Sequence, residues 1–178
     1  MPRPSQRDRI LDAYTDLVVT SGPETVTLDA VASAAGVSKG GLLYHFGSRE
    51  ALLEGLLDRC RTLTDADLAA ARAAPEGIAR YYLRTSIDDP AAGSAVYRTT
   101  VAMIKLSTTE PRAAEVTRRC MAGWRTALAE ELGDALAADL VAALGDGIYL
   151  RAIVGQSSAE LGAAAEELLR RAAPRPPE

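Results

Sequence analysis

An all-α fold of about nine helices is what this 178-residue sequence predicts, on three observations. Apolar residues recur at steps of three and four along most of the chain. Ala is abundant while aromatics make up only 4% of residues, which suits close helix packing better than a sheet. Capping residues and helix breakers follow one another at helical intervals, and no stretch shows the strict alternation of a half-buried strand.

Taken in order, Arg7–Thr20 places Ile10, Leu11, Tyr14, Leu17 and Val18 on one face, and Ser21-Gly22-Pro23 ends that helix. Thr27 reads as the N-cap of a short helix whose inward face is Leu28, Val31 and Ala32. Ala35-Gly36-Val37 interrupts it after two turns, with Gly36 supplying a positive φ. Ser38 caps a third short helix carrying Leu42, Leu43 and Phe46; Gly47 breaks it, and Ser48 caps a longer one carrying Leu52, Leu53, Leu56 and Leu57. Downstream, Pro75, Asp89-Pro90 and Glu110-Pro111 each put a proline at or near a first helical position, where its missing N–H costs nothing. The third of these opens a helix bearing Val116, Cys120, Trp124 and Leu128. Leu136, Leu140, Val141, Leu144 and Ile148 mark the next helix. Ser157-Ser158-Ala159-Glu160 matches a capping box before Leu161. The tail 174–178 reads as frayed.

Composition excludes several classes. Cys60 and Cys120 lie far apart and His45 is the only histidine, so no zinc site is expected, nor any other metal or cofactor. The two thiols read as small hydrophobes, with a redox role left open. No leader and no membrane-length apolar run is present, which predicts a reduced, soluble, cytoplasmic protein with no membrane partner. The net charge of −4 argues at first against nucleic acid. Within residues 1–50, Arg3, Arg7, Arg9, Lys39 and Arg49 face Asp8, Asp12, Asp16, Glu24, Asp29 and Glu50. Such a segment has weak non-specific affinity, so any operator contact must depend on geometry. Arg3 and Arg7 read as solvated, with phosphate contact as the alternative.

Two short helices joined by a Gly-containing turn and braced by a third make a helix-turn-helix over residues 27–46. The second must be short and firmly propped for its outer face to enter a major groove ~12 Å wide. Leu42 and Phe46 anchor it, leaving Lys39, Gly40, Gly41, Tyr44 and His45 on or near the other side. Two adjacent glycines cost a helix roughly 1 kcal/mol each relative to Ala, which suggests close approach of a phosphate or base edge to the backbone.

The run from Thr27 through Val37-Ser-Lys-Gly-Gly-Leu-Leu-Tyr-His-Phe-Gly-Ser-Arg49 to Leu53 resembles the N-terminal signature of the TetR family of bacterial transcriptional regulators. The likeness is dense over residues 8–57 and architectural beyond them. It implies a DNA-binding domain over 1–47 and a helical bundle over 48–173 for effector binding and dimerisation. It further implies that Thr27, Ser38, Lys39, Gly40, Gly41, Tyr44, His45 and Arg49 meet operator DNA, with Arg49 clamping a phosphate at a helix N-terminus. Gly41 and Leu43 depart from the family pattern, which commonly has Thr or Ser and Tyr there.

Other readings stand beside these. His45 and Lys39 have structural or solvated alternatives, and Tyr44 has one as a cover between helices. Tyr81, Tyr82, Tyr97, Met103, Met121, Trp124 and Tyr149 are candidate lining of an effector pocket, or else plain core. Arg84, Arg98 and Lys105 are candidate receivers of an acidic group, or else surface charges. A single helix-turn-helix reads few bases, so a homodimer on palindromic double-stranded DNA is expected, with Leu128, Leu140, Leu144, Gly147 and Ile148 as candidate interface. The function expected is a regulator, by default a repressor, released by a small-molecule effector. An enzyme is the poorer reading, for one histidine builds no triad and no phosphate-binding Gly pattern occurs. A helical interaction module that has lost DNA binding is the second alternative.

Overall fold

The computed structural model describes residues 5–172, so the tail 174–178 lies outside the described residues. Nine α-helices and one 3-10 turn, with no strand, occur among them. The helices are α1 (Gln6–Ser21), α2 (Leu28–Ala35), α3 (Lys39–His45), α4 (Arg49–Ala73), α5 (Ile78–Ala92), α6 (Ala95–Leu106), α7 (Pro111–Leu132), α8 (Ala135–Ile153) and α9 (Leu161–Ala172). The 3-10 turn is Pro23–Thr25. No described helix is long and apolar enough to cross a membrane, and no described group of three His, Cys, Asp or Glu is placed to hold a metal.

Two compact units are present. The first holds the described residues up to Leu63 together with Arg98–Thr117. Its core includes Ile10, Leu11, Tyr14 and Val18 of α1, Leu42, Phe46, and Leu52, Leu56 and Leu57 of α4. Burial pushes the Tyr14 hydroxyl above its ordinary value. Half-buried charges tie α1 down: Arg59 pairs with Asp12 at 2.6 Å and Arg98 with Asp16 at 2.9 Å. Lys105 donates to the Val19 carbonyl at 2.6 Å.

The second unit holds Thr64–Tyr97 and the described residues from Arg118 onward. Its core joins Ala79 and Leu83 of α5, Leu128 and Leu132 of α7, Ala137, Ala138 and Val141 of α8, and Ala165 and Leu169 of α9. The start of α5 has a distant cap. The Glu131 carboxylate accepts from the Ile78 and Ala79 amides, both at 2.7 Å, filling two of the N–H groups that a helix start leaves empty.

Two starting signals act differently from the sequence reading. Pro90 opens no helix; it sits in the last turn of α5, which ends at Gly93 with φ 60°, and α6 starts at Ala95 after Ser94 has accepted the Tyr97 amide. A proline near a helix end removes only one backbone bond, so there it is tolerated instead of starting a new element. Before α9, Ser157 accepts from the Ala159 amide at 3.3 Å, but Glu160 turns to Arg151 at 2.8 Å. The charged partner outcompetes the neutral amide that a capping box would offer.

Candidate nucleic-acid interface

The helix-turn-helix is assembled by short-range capping and by props from α1. Thr27 Oγ1 accepts the Ala30 amide at 3.2 Å, and α2 buries Val31, Ala32 and Ala35. Gly36 takes the left-handed conformation at φ 65°, where a side chain would be strained. Arg9 donates to the Ala35 carbonyl at 2.6 Å, satisfying one of the acceptors left at the end of α2. Ser38 Oγ accepts the Gly41 amide at 3.0 Å and starts α3, which buries Leu42 and hands its C-terminus to the buried Phe46. The Arg7 guanidinium lies 5.0 Å from the Phe46 ring centre, so Arg7 is a cation–π partner and not a solvated arm.

The opposite face of α3 is bare. Tyr44 is 87% exposed, which rules out its reading as a cover between helices. Its ring meets His45 edge-on at 5.3 Å, and His45 Nε2 stands 3.3 Å from Gln6 Oε1. Lys39 pairs with Asp29 at 3.0 Å, both side chains being well exposed. An exposed pair of this kind is worth about 0–1 kcal/mol, so the lysine leaves it at little cost. Gly40 is open, its nearest neighbour being Ser38 Oγ at 3.9 Å from where a Cβ would stand. Thr27 and Ser38 each spend an oxygen lone pair on capping and keep an O–H to donate. Arg49 opens α4 and donates to the Pro23 carbonyl at 3.1 Å, so its guanidinium also pins the turn before α2. Sequence reasoning missed Arg9, Arg7 and Gln6 as props, because nothing local in α1 shows which residues it meets.

The candidate effector residues fall into both units. Met103 is buried in the first, while Met121 is 47% exposed in the second. Tyr82 packs on Trp124 at 4.9 Å and Tyr97 on Tyr149 at 5.4 Å. Tyr81 donates to Asp67 at 2.7 Å and Tyr149 to Asp89 at 3.5 Å. Beside Tyr97 a cleft of about 400 Å³ is lined by Ile87, Asp88, Pro90, Ile148, Ala152 and Gln156, among others. Arg84 is held by Glu76 at 2.9 Å, and Arg98 and Lys105 serve the first unit as above.

Burial raises the Asp67 carboxyl above the usual range; burial, then the charge of Asp67, does the same to Asp89. Burial and the neighbouring Asp67 lift the Tyr81 hydroxyl to about 12, and burial raises Tyr82 and Tyr149. A carboxyl raised in the folded state binds protons more tightly there than in the unfolded chain. Stability therefore falls as pH rises from the ordinary Asp value through the raised one, and the cost is complete at neutral pH. Asp67→Asn keeps an acceptor for Tyr81 and deletes the charge that Asp89 feels. The melting temperature should rise by about 2–4 °C at pH 7.5, roughly 1 kcal/mol for a chain of this size, and match the wild type near pH 3.5. Circular-dichroism melts at both pH values check this; an unchanged or lower value at pH 7.5 contradicts it.

With this geometry in view, comparison with known proteins is decisive. Residues 10–56 match the family model of bacterial regulatory proteins of the tetR family, and residues 76–173 match the tetracyclin repressor-like C-terminal domain. The chain belongs to the TetR family. It is 29% identical over 160 residues to the HTH-type transcriptional regulator BetI of Burkholderia thailandensis, covering 84% of this chain and 82% of that one. It is 45% identical over 49 residues to the HTH-type transcriptional regulator AlkX of Mycobacterium tuberculosis, a match spanning 28% of this chain and only 23% of that protein. Among solved structures it is similar to the multidrug binding protein EbrR complexed with malachite green, at 25% identity and TM-score 0.68, over 97% of this chain and all of the other.

In this TetR-family chain the candidate dimer residues divide sharply. Leu128 and Ile148 are buried in the chain's own interior, and Leu144 packs against the core of the second unit. None of these three forms a surface seam, which corrects the sequence reading. Leu140 and Gly147 do face outward, and Leu136, Leu150 and Val154 join them at exposures between 52% and 68% for the four large side chains. With the exposed Ala143, residues 136, 140, 143, 147, 150 and 154 follow one another at alternating steps of four and three, the spacing of a helix–helix seam. A Cβ on Gly147 would meet nothing within 4 Å.

Proposed function

We propose that the chain is a ligand-responsive repressor that binds a palindromic operator as a homodimer and is released by a small-molecule effector. The observation that carries it is α3: seven residues, one side buried through Leu42, the other presenting Lys39, two glycines, His45 and a Tyr44 that is 87% exposed. An aromatic left that bare on a propped helix suits a groove contact. In this reading residues 1–47 engage DNA, with Lys39, Tyr44 and His45 at bases or phosphates and Gly40 and Gly41 allowing close approach. Thr27 and Ser38 donate their hydroxyls to phosphates, and Arg49 reaches one from the start of α4.

Residues 48–173 dimerise and receive the effector. Tyr81, Tyr82, Tyr97, Trp124 and Tyr149 are its candidate lining, and the cleft beside Tyr97 falls within the ~300–1,000 Å³ usual for ligand sites. Binding of a small molecule by EbrR supports this assignment. The effector acts by favouring a dimer whose recognition helices no longer fit successive major grooves about 34–36 Å apart. Linkage then requires operator DNA to weaken effector binding by the same factor.

The test is fluorescence-anisotropy titration against DNA flanking the chain's own gene, with random duplex as competitor and salt varied. Tight, competitor-resistant binding to a dyad with a steep salt slope is expected. Weak binding, equal for all sequences, would instead favour a helical interaction module.

A further inference from the structure

In the middle of α3 position 41 brings no side chain, and a residue of another helix stands over it. A Cβ built on Gly41 lies 3.7 Å from Gln6 Nε2 and 3.3 Å from Ser38 Oγ. Gln6 is the first residue of α1, in a turn fixed by Ser5, which accepts the Asp8 amide at 3.1 Å. Its side-chain oxygen is 3.3 Å from His45 Nε2. An amide oxygen only accepts, so the ring nitrogen facing it is the donor. That contact occupies the oxygen and leaves the two N–H groups of Nε2 beside the bare glycine surface, on a side chain that is exposed.

We propose that Gln6 is a base-reading residue which supplies, from α1, the polar head that α3 lacks at Gly41. The inference rests on the operator reading above. A free glutamine amide pairs with adenine by donating and accepting together, but here His45 holds the oxygen. Gln6 is therefore a donor-only head. Guanine offers two adjacent acceptors, N7 and O6, in the major groove and fits it best; cytosine presents its N4 donor there and fits worst.

The experiment is selection of duplexes from a randomised library by full-length wild type, Gln6→Ala and Gln6→Glu, with anisotropy on the enriched sequences. Wild type should enrich a dyad with guanine at one position of each half-site. Gln6→Ala should enrich the same dyad with that position flattened, and lose about tenfold in affinity for the wild-type sequence only, the scale of a lost base contact. Gln6→Glu, whose carboxylate only accepts, should turn the preference towards cytosine. Both variants should melt as the wild type does, since the side chain is exposed. If wild type enriches no dyad, the operator reading fails and this inference falls with it. If it does, yet Gln6→Ala selects an unchanged pattern or weakens all duplexes equally, Gln6 reads no base and the operator reading stands.

Discussion

Leu140→Glu combined with Leu150→Glu is expected to yield a folded monomer whose operator affinity is at least a hundredfold below that of the wild type. Both side chains are exposed, so the fold of one chain loses nothing by the change. The seam they belong to is thin. Four large side chains from each copy, already partly covered, contribute about 1 kcal/mol apiece on docking, half of what full burial gives. Association itself costs ~4–15 kcal/mol, so the stripe stands near balance and depends on close fit. Gly147 helps here, since its open surface lets a partner helix approach. Four of the eight apolar contacts vanish in the double variant, and carboxylates meet carboxylates across the two-fold axis. A monomer keeps one recognition helix and loses the second half-site, which removes most of the specific affinity. Light scattering with anisotropy on the same sample reads both effects. A variant that remains dimeric would move the seam away from the exposed stripe of α8.

That stripe also shows where sequence stops being informative. α8 is apolar almost all round, from Leu136-Ala137-Ala138 through Leu140-Val141-Ala142-Ala143-Leu144-Gly145, so periodicity finds the helix without saying which side faces in. Leu128 and Ile148 were therefore as eligible as Leu136 and Leu150 until packing separated them. The first unit reads differently. Thr27, Ser38 and Ser48 cap the amides of residues 30, 41 and 51, and Gly36 adopts its positive φ, all within four residues of their partners. Local chemistry of that kind is written in short stretches of sequence. Contacts across the chain are not: Arg9 reaches the Ala35 carbonyl and Arg49 the Pro23 carbonyl, 26 residues away in each case. Glu131 caps α5 from 53 residues away. The outer face of α3 was legible because it depends on local spacing. Its props were not, because a surface arginine on an amphipathic helix has no signature of its partner.

The strongest of those props is the packing of Phe46 on α4, and it gives the second large effect. A Cβ added at Gly55 would stand 2.6 Å from Phe46 Cε1 and 3.3 Å from Leu11 Cδ2, so the glycine exists to admit the ring. Phe46→Ala should cost about 3–5 kcal/mol through the cavity it leaves, and should abolish operator binding because α3 loses the anchor of its C-terminal end. Gly55→Ala alone gains up to about 1 kcal/mol in helix propensity but forces a methyl into a buried ring, an overpacking cost of about 1–3 kcal/mol. The ring sits under Arg7 and cannot simply swing outward without breaking that contact. In the double variant the new methyl enters the space the ring has vacated. The two costs should then combine to less than their sum by at least ~0.5 kcal/mol, the mark of two residues that share one volume. Gly47→Ala is the control, since nothing lies within 4 Å of that site and no such coupling to Phe46 can arise. Urea denaturation of the four proteins measures the coupling, and anisotropy shows whether stability and DNA binding recover together. Strict additivity would mean that Gly55 and Phe46 do not meet, and that the recognition helix is held in place by something other than the ring.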